Sequence, residues 1–404
     1  MPTQARSPPV RRLLRHREFR LLFFGQTAST IGDRVVVVAL ALYVTQIGSP
    51  TDVGLVLAAH TVPLVTLVLL GGVWADRLPR HRLMLAADAI RGAVHALLAV
   101  LILAGSAQVW QIIVIEALFG SAEAFFRPAY TGLIPQTVPD EELQPAKAAT
   151  ALVETLAGFV GPALATALVV AVGAGWAFAV DAGTFVVSAA FLIPMRPARR
   201  GEAAAPASVL ADLRDGWGAV SSRPWVWMTI AAFSFELLCS YGPFQTLGPT
   251  IAEEAHGRRA VFGVLVAAQG LGTLIGSLVG FRWRPRHPVG AGIALVLLSP
   301  ATTFAFALGT PIAALLPLYV AAGIGVALFI VWWETALAQR VPAHLLSRVT
   351  SYDWMGSLGL MPIGLVLAGP LAAAFGAKNV LAVGAAVGFT ALVTVLTRRA
   401  VRLA

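Results

Sequence analysis

The chain has 404 residues, of which 58% are hydrophobic and only 12% charged, with a mean hydropathy of +0.79. Soluble domains carry about a quarter charged residues, so this composition excludes an ordinary water-soluble enzyme or binding domain and points to lipid as the solvent. The net charge of +9 does not restore a nucleic-acid partner, because the bases sit in short segments between apolar runs and form no basic face.

The first stretch, MPTQARSPPVRRLLRHREFR, is basic and Pro-rich, with no small-residue cleavage site at signal-peptide distance. It reads as a cytoplasmic lead-in. A helix crossing the hydrocarbon core needs about 20 apolar residues. Runs of that length lie near 20–46, 53–74, 83–104, 109–129, 146–172 and 175–195. A polar interval follows, and six more runs lie near 225–247, 260–281, 289–309, 312–334, 349–374 and 378–397. This predicts an all-α polytopic membrane protein with twelve transmembrane helices in two pseudo-symmetric six-helix bundles, 1–195 and 225–404. The linker, 196–224, is predicted to be cytoplasmic and to hold an amphipathic helix over Ser208–Ser222, with Trp217, Trp225 and Trp227 as an interfacial belt.

Bases fall mainly on one side of the predicted topology: Arg11, Arg12, Arg15, Arg17, Arg77, Arg80, Arg82, Arg196, Arg199, Arg200, Arg282, Arg284, Arg286, Arg340, Arg348, Arg398 and Arg399. Only Arg258, Arg259 and Lys378 fall on the other. The positive-inside tendency then makes both termini and the linker cytoplasmic. The halves also echo each other. LPRHR at 78–82 matches RPRHP at 284–288, IPQTVPDEEL at 134–143 matches AQRVPAHLL at 338–346, and GFVGPALA at 158–165 matches MPIGLVLAGPLA at 361–372. A parallel repeat of this kind places a substrate site at mid-membrane and permits alternating access.

Ionisable residues inside such spans are costly, about 2.5–3.5 kcal/mol each, and mark function by default. Asp33 lies near the centre of span one beside Arg34, which points about 100° away on a helix. Glu116 and Glu123 are seven apart on span four and share a face, and Glu123 reaches Arg127 at i+4. Glu116 is deeper and is a proton-coupling candidate, with Arg91 of span three as its candidate partner. Glu236 and Asp353 are the second half's acids. Asp181 and Glu334 sit near span ends, where a structural reading leads. The glycine run at 263–276 reads as close helix packing. A single cysteine, Cys239, excludes disulfides. No catalytic constellation or Walker loop is present, and seven scattered histidines make no metal site, so neither enzyme nor cofactor is expected.

Twelve spans, a mid-chain linker and the loop GGVWADRLPRHRLM at 71–84 together resemble the major facilitator superfamily over essentially the whole chain. The loop is similar to the superfamily signature G-x-x-x-D-R-x-x-R-R, here Gly72, Asp76, Arg77, Arg80 and Arg82. Gly32-Asp33, Asp88-x-x-Arg91, FFRPAY at 125–130 and FAVDAGTF at 178–185 look like the drug:proton antiporter branch of macrolide efflux proteins and enterobactin exporters. Gly158, Gly161 and Pro162 are similar to the antiporter motif, whose last position is Ala165 here in place of the usual Gly. Glu116 stands where other drug antiporters carry a base.

The resemblance implies a proton-coupled exporter of a small hydrophobic or amphipathic molecule such as a drug, antibiotic or siderophore. It implies residence in the bacterial inner membrane, as a monomer. Asp33, Arg34, Arg91, Glu116, Glu236 and Asp353 would then serve coupling or the substrate cavity. Gly72, Asp76, Arg77, Arg80, Arg82, Asp88, Glu123 and Arg127 would serve a cytoplasmic gate. An importer or facilitator of the same fold is the alternative, and a non-transporting receptor or scaffold a more distant one.

Overall fold

A computed structural model of the chain describes residues 12–197, 209–280, 283 and 285–403. Arg11, Arg199, Arg200, Ser208, Arg282 and Arg284, used above for orientation and the linker, lie outside the described residues, as does the side chain of Asp76.

The described chain is almost wholly helical. The first half contains α1 (Arg17–Ile47), α2 (Pro50–Arg77), α3 (Arg80–Leu103), α4 (Val109–Leu133), α5 (Leu143–Val172) and α6 (Ala174–Leu192). Between the halves lies a helix α7 (Val209–Ser221), with Trp217 exposed. The second half contains α8 (Pro224–Glu236), α9 (Gly242–His256), α10 (Ala260–Gly280), α11 (Pro288–Val296), α12 (Leu298–Ala307) and α13 (Ile312–Arg340). It ends with α14 (Ala343–Gly359), α15 (Met361–Phe375), α16 (Ala377–Thr397) and the short α17 (Arg399–Arg402).

Eleven segments of the described residues are long and apolar enough to cross a membrane. The expected span at 225–247 is not among them, because a π-helical turn, Leu237–Tyr241, separates α8 from α9 and leaves each too short alone. Glycine packing accounts for the site of that turn. A Cβ on Gly364 would collide with the Leu238 carbonyl, and one on Gly384 with the Cys239 carbonyl, so α15 and α16 press directly on its backbone. π-turns of this kind recur at functional sites.

Four turns carry the signature of duplication. Gly105 (φ 67°) follows α3 and Gly309 (φ 76°) follows α12, while Gly173 (φ 95°) joins α5 to α6 and Gly376 (φ 84°) joins α15 to α16. Only glycine occupies positive φ without steric cost, so matched turns in the two halves require it at matched places.

The chain folds as two compact units, residues 1–40 with 59–204, and 41–58 with 205–404. One core of the first unit gathers Phe19, Leu22, Met84, Ala129, Leu133 and Leu192. One core of the second gathers Val226, Ile293, Phe329, Trp333 and Leu392. Inside the second unit, Gly272 and Gly276 of α10 meet the backbone of Val320 and Ile324 on α13, the close packing expected of the glycine run. Large apolar side chains such as Val170, Val186, Phe375 and Val383 are two-thirds exposed, while Asp88, Arg91, His95, Glu116 and Asp181 are buried. Apolar outside and charged inside is the inverse of a protein folded in water, and it is what a lipid solvent selects.

Candidate functional site

The buried charges of the first unit form one connected cluster. On α3, Asp88, Arg91 and His95 follow i, i+3 and i+7 and so share a face. On α4, Glu116, Gly120 and Glu123 share a face in the same way. Gly120 decides what meets that face. A Cβ there would run into the carbonyl of His60, so its absence lets α2 approach until the His60 ring lies between the two glutamates. His60 Nδ1 is 3.3 Å from Glu116 Oε2, and Nε2 is 3.1 Å from Glu123 Oε2. Glu123 also takes Arg127 Nε at 2.7 Å, the i+4 pair expected from sequence.

Behind Glu116 stands His95, fully buried, with Nε2 at 3.5 Å from Glu116 Oε1 and Nδ1 at 2.6 Å from Asp181 Oδ2. Phe119 stacks on the His95 ring with centroids 4.0 Å apart and fixes its plane. Arg91 anchors a second branch. Its guanidinium donates to Asp88 and reaches Asp33 Oδ2 at 3.4 Å. It lies over the rings of Phe126 and Phe185 at 4.1 and 4.5 Å, contacts that hold a desolvated cation. Asp88 accepts from Ser188 Oγ at 2.6 Å, and Gln26 Nε2 donates to the same hydroxyl at 2.8 Å.

Burial grades across the cluster. Asp33 is about 33% exposed at its side chain, His60 26%, Glu123 12% and Arg127 52%, whereas Arg91, His95, Glu116 and Asp181 are at 2% or less. One side of the cluster is therefore accessible and the other sealed. Five carboxylates face two guanidiniums and two imidazoles. Even with both imidazoles charged, that set is net negative.

The structure changes several expectations. Arg91 pairs with Asp33 and Asp88 and not with Glu116, whose partners are the two histidines. Asp181 is fully buried and holds His95, so it belongs to the cluster rather than to a watered span end. Glu334 is exposed. Gly72 has open space where a Cβ would sit; the close approach is made by Gly71, against the backbone of Ala124. Gly158 likewise faces open space, while Gly161 packs on Arg34, whose own side chain is exposed. Pro162 lies buried within α5, which runs on as one helix.

The remaining sites are more dispersed. Arg80 donates to the carbonyls of Ala75 and Gly132, tying together the ends of α2, α3 and α4, while Arg77 and Arg82 are exposed. In the second unit, Glu236 is buried at the lip of the π-turn and Asp353 accepts from Trp333 Nε1 at 2.8 Å. Sequence reasoning misses His60 and His95. The available signal is a histidine at mid-span in α2 and another in α3, His95 standing at i+4 from Arg91.

Comparison with known proteins follows the same lines. Residues 12–313 match the family profile described as "Transmembrane secretion effector". The multidrug efflux pump Tap of Mycolicibacterium fortuitum is 28% identical over 375 residues, covering 88% of this chain and 89% of that protein. Macrolide efflux protein A of Streptococcus pyogenes is 22% identical over 375 residues, covering 90% and 91%. Among solved structures, a bacterial homologue of the human lysosomal transporter Spinster, inward-facing and unoccupied, superposes with a TM-score of 0.70 at 15% identity, covering 98% of this chain and 96% of that one. At that identity the likeness concerns the fold alone.

Proposed function

Because the chain belongs to the transmembrane secretion effector family, within the major facilitator superfamily, we propose that it is a proton-coupled exporter of a small hydrophobic or amphipathic molecule. The observation that carries the proposal is the charge balance of the cluster in the first unit. Five carboxylates against two arginines and two histidines leave negative charge in a lipid-embedded bundle, and an unneutralised charge there is expensive. Bound protons are the neutralising species available at every step of a transport cycle. The named activities of Tap and macrolide efflux protein A support the outward direction.

In this reading Asp33 is the exchanging carboxylate on the accessible side. Arg91 is its fixed counter-charge and stays neutralised by Asp88 when Asp33 takes a proton. Glu116 carries charge into the sealed side. Release of protons accompanies substrate capture, and their return accompanies substrate expulsion by alternating access. Glu123–Arg127 and the Arg80 contacts, with Gly72, Asp76, Arg77 and Arg82, serve the gate. Gly161, with Pro162 beside it, holds α5 against α1 at Arg34, Gly158 completes the antiporter-like motif, and Glu236 and Asp353 are the second half's own candidate substrate-binding acids. The chain resides in the bacterial cytoplasmic membrane as a monomer, with both termini cytoplasmic.

The test is accumulation of ethidium and of erythromycin in cells lacking their own pumps and expressing wild type, Asp33→Asn or Glu116→Gln over a pH series. Wild type should lower accumulation in a manner abolished by collapsing the pH gradient, and each variant should lose that dependence. Gradient-independent export by wild type, or unchanged gradient dependence in both variants, refutes the coupling.

A further inference from the structure

A neutral imidazole has one N–H and one bare nitrogen. His60 sets a carboxylate oxygen opposite both, at 3.3 and 3.1 Å, and ionised carboxylates only accept. Those two contacts therefore hold one proton more than a neutral ring with two ionised carboxylates contains. The imidazole is the strongest base of the three groups, so the surplus proton resides on its second nitrogen.

His95 repeats the arrangement with one contact open. Its Nδ1 lies at 2.6 Å from Asp181 Oδ2, a short hydrogen bond. Its Nε2 faces Glu116 Oε1 at 3.5 Å, and both of those buried atoms lack a hydrogen-bond partner. Glu116 thus uses one oxygen toward His60 and offers the other to His95. Four helices supply one link each: α2 gives His60, α4 Glu116, α3 His95 and α6 Asp181.

We propose that His60, Glu116, His95 and Asp181 form a proton relay from the accessible side of the first unit to its sealed interior, with the 3.5 Å space between Glu116 Oε1 and His95 Nε2 as the contact that opens and closes it. The inference rests on the proton-coupled reading above and names the path within it. In the inward step, the N–H bond at His60 Nδ1 breaks as an O–H bond forms on Glu116 Oε2. Rotation of the carboxyl presents that O–H to His95, and the proton passes to Nε2 as the gap closes. His95, then carrying a proton on each nitrogen, gives the Nδ1 proton to Asp181 Oδ2. His60, left neutral with its remaining proton on Nε2, takes a replacement once its ring turns the free Nδ1 from Glu116 toward the Glu123 side, where exposure is greater. One proton has moved from the accessible end to Asp181, and no other atom is exchanged.

The surrounding groups suit the task. Glu123 and Arg127 of α4 flank the accessible end, and Asp33 of α1 with Arg91 and Asp88 of α3 flank the centre. Phe119 lies against both rings, 5.6 Å from His60 and 4.0 Å from His95, and packs the two links together. Gly32 leaves Asp181 and Thr184 the space that a Cβ would take.

The experiment uses the full protein in lipid nanodiscs with 15N-labelled histidine. The two rings are assigned through His60→Gln and His95→Gln, and nitrogen spectra are followed through the histidine titration range. The relay requires that His60 and His95 titrate as a coupled pair, so His60→Gln or Glu116→Gln should move the His95 transition by about one pH unit, a tenfold change in proton affinity. In the unmutated protein, which carries no folding question, the His60 ring should show no bare nitrogen at the pH where the surplus proton is bound. A His95 transition identical in wild type and both variants overturns the relay, as does a bare His60 nitrogen at every pH. Coupled rings in a protein that does not expel ethidium under a pH gradient would keep the relay and remove the export reading. Gradient-driven expulsion with independently titrating rings would do the reverse.

Discussion

Replacing Arg91 with methionine isolates the energetic centre of the first unit. Methionine keeps most of the length and apolar volume and removes the charge. Arg91 is 1% exposed, and its principal partner, Asp88, is 0% exposed. Breaking a buried pair by removing one member costs about 3–5 kcal/mol, because the other is left as an uncompensated ion. The cation–π contacts to Phe126 and Phe185 contribute about 1–2 kcal/mol when desolvated. Sulfur–aromatic contacts of the new methionine return about 1 kcal/mol of that. Asp88 retains its hydrogen bond from Ser188, and Asp33 is a third exposed and can relax toward water, so the loss falls within the range for the pair, near 4 kcal/mol. At about 1.4 kcal/mol per decade, that is on the order of a thousandfold in the unfolding equilibrium.

The assay is titration with sodium dodecyl sulfate in mixed micelles, followed by the fluorescence of the ten tryptophans. Adding Asp88→Asn to Arg91→Met removes the stranded anion and should recover about 2 kcal/mol, although Asp88→Asn alone destabilises; opposite signs in the two backgrounds mark a direct pair. If Arg91→Met lies within about 1 kcal/mol of wild type, or the two changes simply add, the ion pair is not what holds α3 in place.

Two glycine substitutions should differ in sign. Gly120→Ala drives a methyl into the His60 backbone, and overpacking costs about 1–3 kcal/mol, more than the roughly 1 kcal/mol gained in helix propensity. It should also part His60 from its glutamates and weaken gradient-driven export. Gly72→Ala meets open space and should raise stability by up to about 1 kcal/mol, read in the same detergent titration. In the second unit, Trp333→Phe removes the N–H held at 2.8 Å by Asp353 and should cost about 1–3 kcal/mol, with Asp353→Asn in the same background adding little.

Much of the architecture is legible in the order of residues, because lipid imposes a one-dimensional rule. Backbone polar groups must be satisfied within each segment, so a span is a run of apolar residues of fixed length and can be counted directly. The glycine run at 263–276 and the Glu123–Arg127 pair are also readable, since each depends on spacing within one helix. The run at 225–247 reads as a single helix. The π-turn inside it answers to Gly364 and Gly384, more than a hundred residues later in the chain, which no local pattern encodes.

The candidate site divides along the same line. Asp33, Arg91, Glu116 and Glu123 announce themselves, since an ionisable residue in an apolar run needs a reason. Their partners do not. Sequence spacing suggests Arg91 for Glu116, while packing gives Arg91 to Asp33 and Asp88 and gives Glu116 two histidines from other helices. What the sequence determined by itself is a membrane bundle built by duplication with charge buried in its first half. Which charges touch was decided by tertiary structure alone. A missing side chain at Gly120 sets how closely α2 lies on α4, and that approach places His60 within reach of both glutamates.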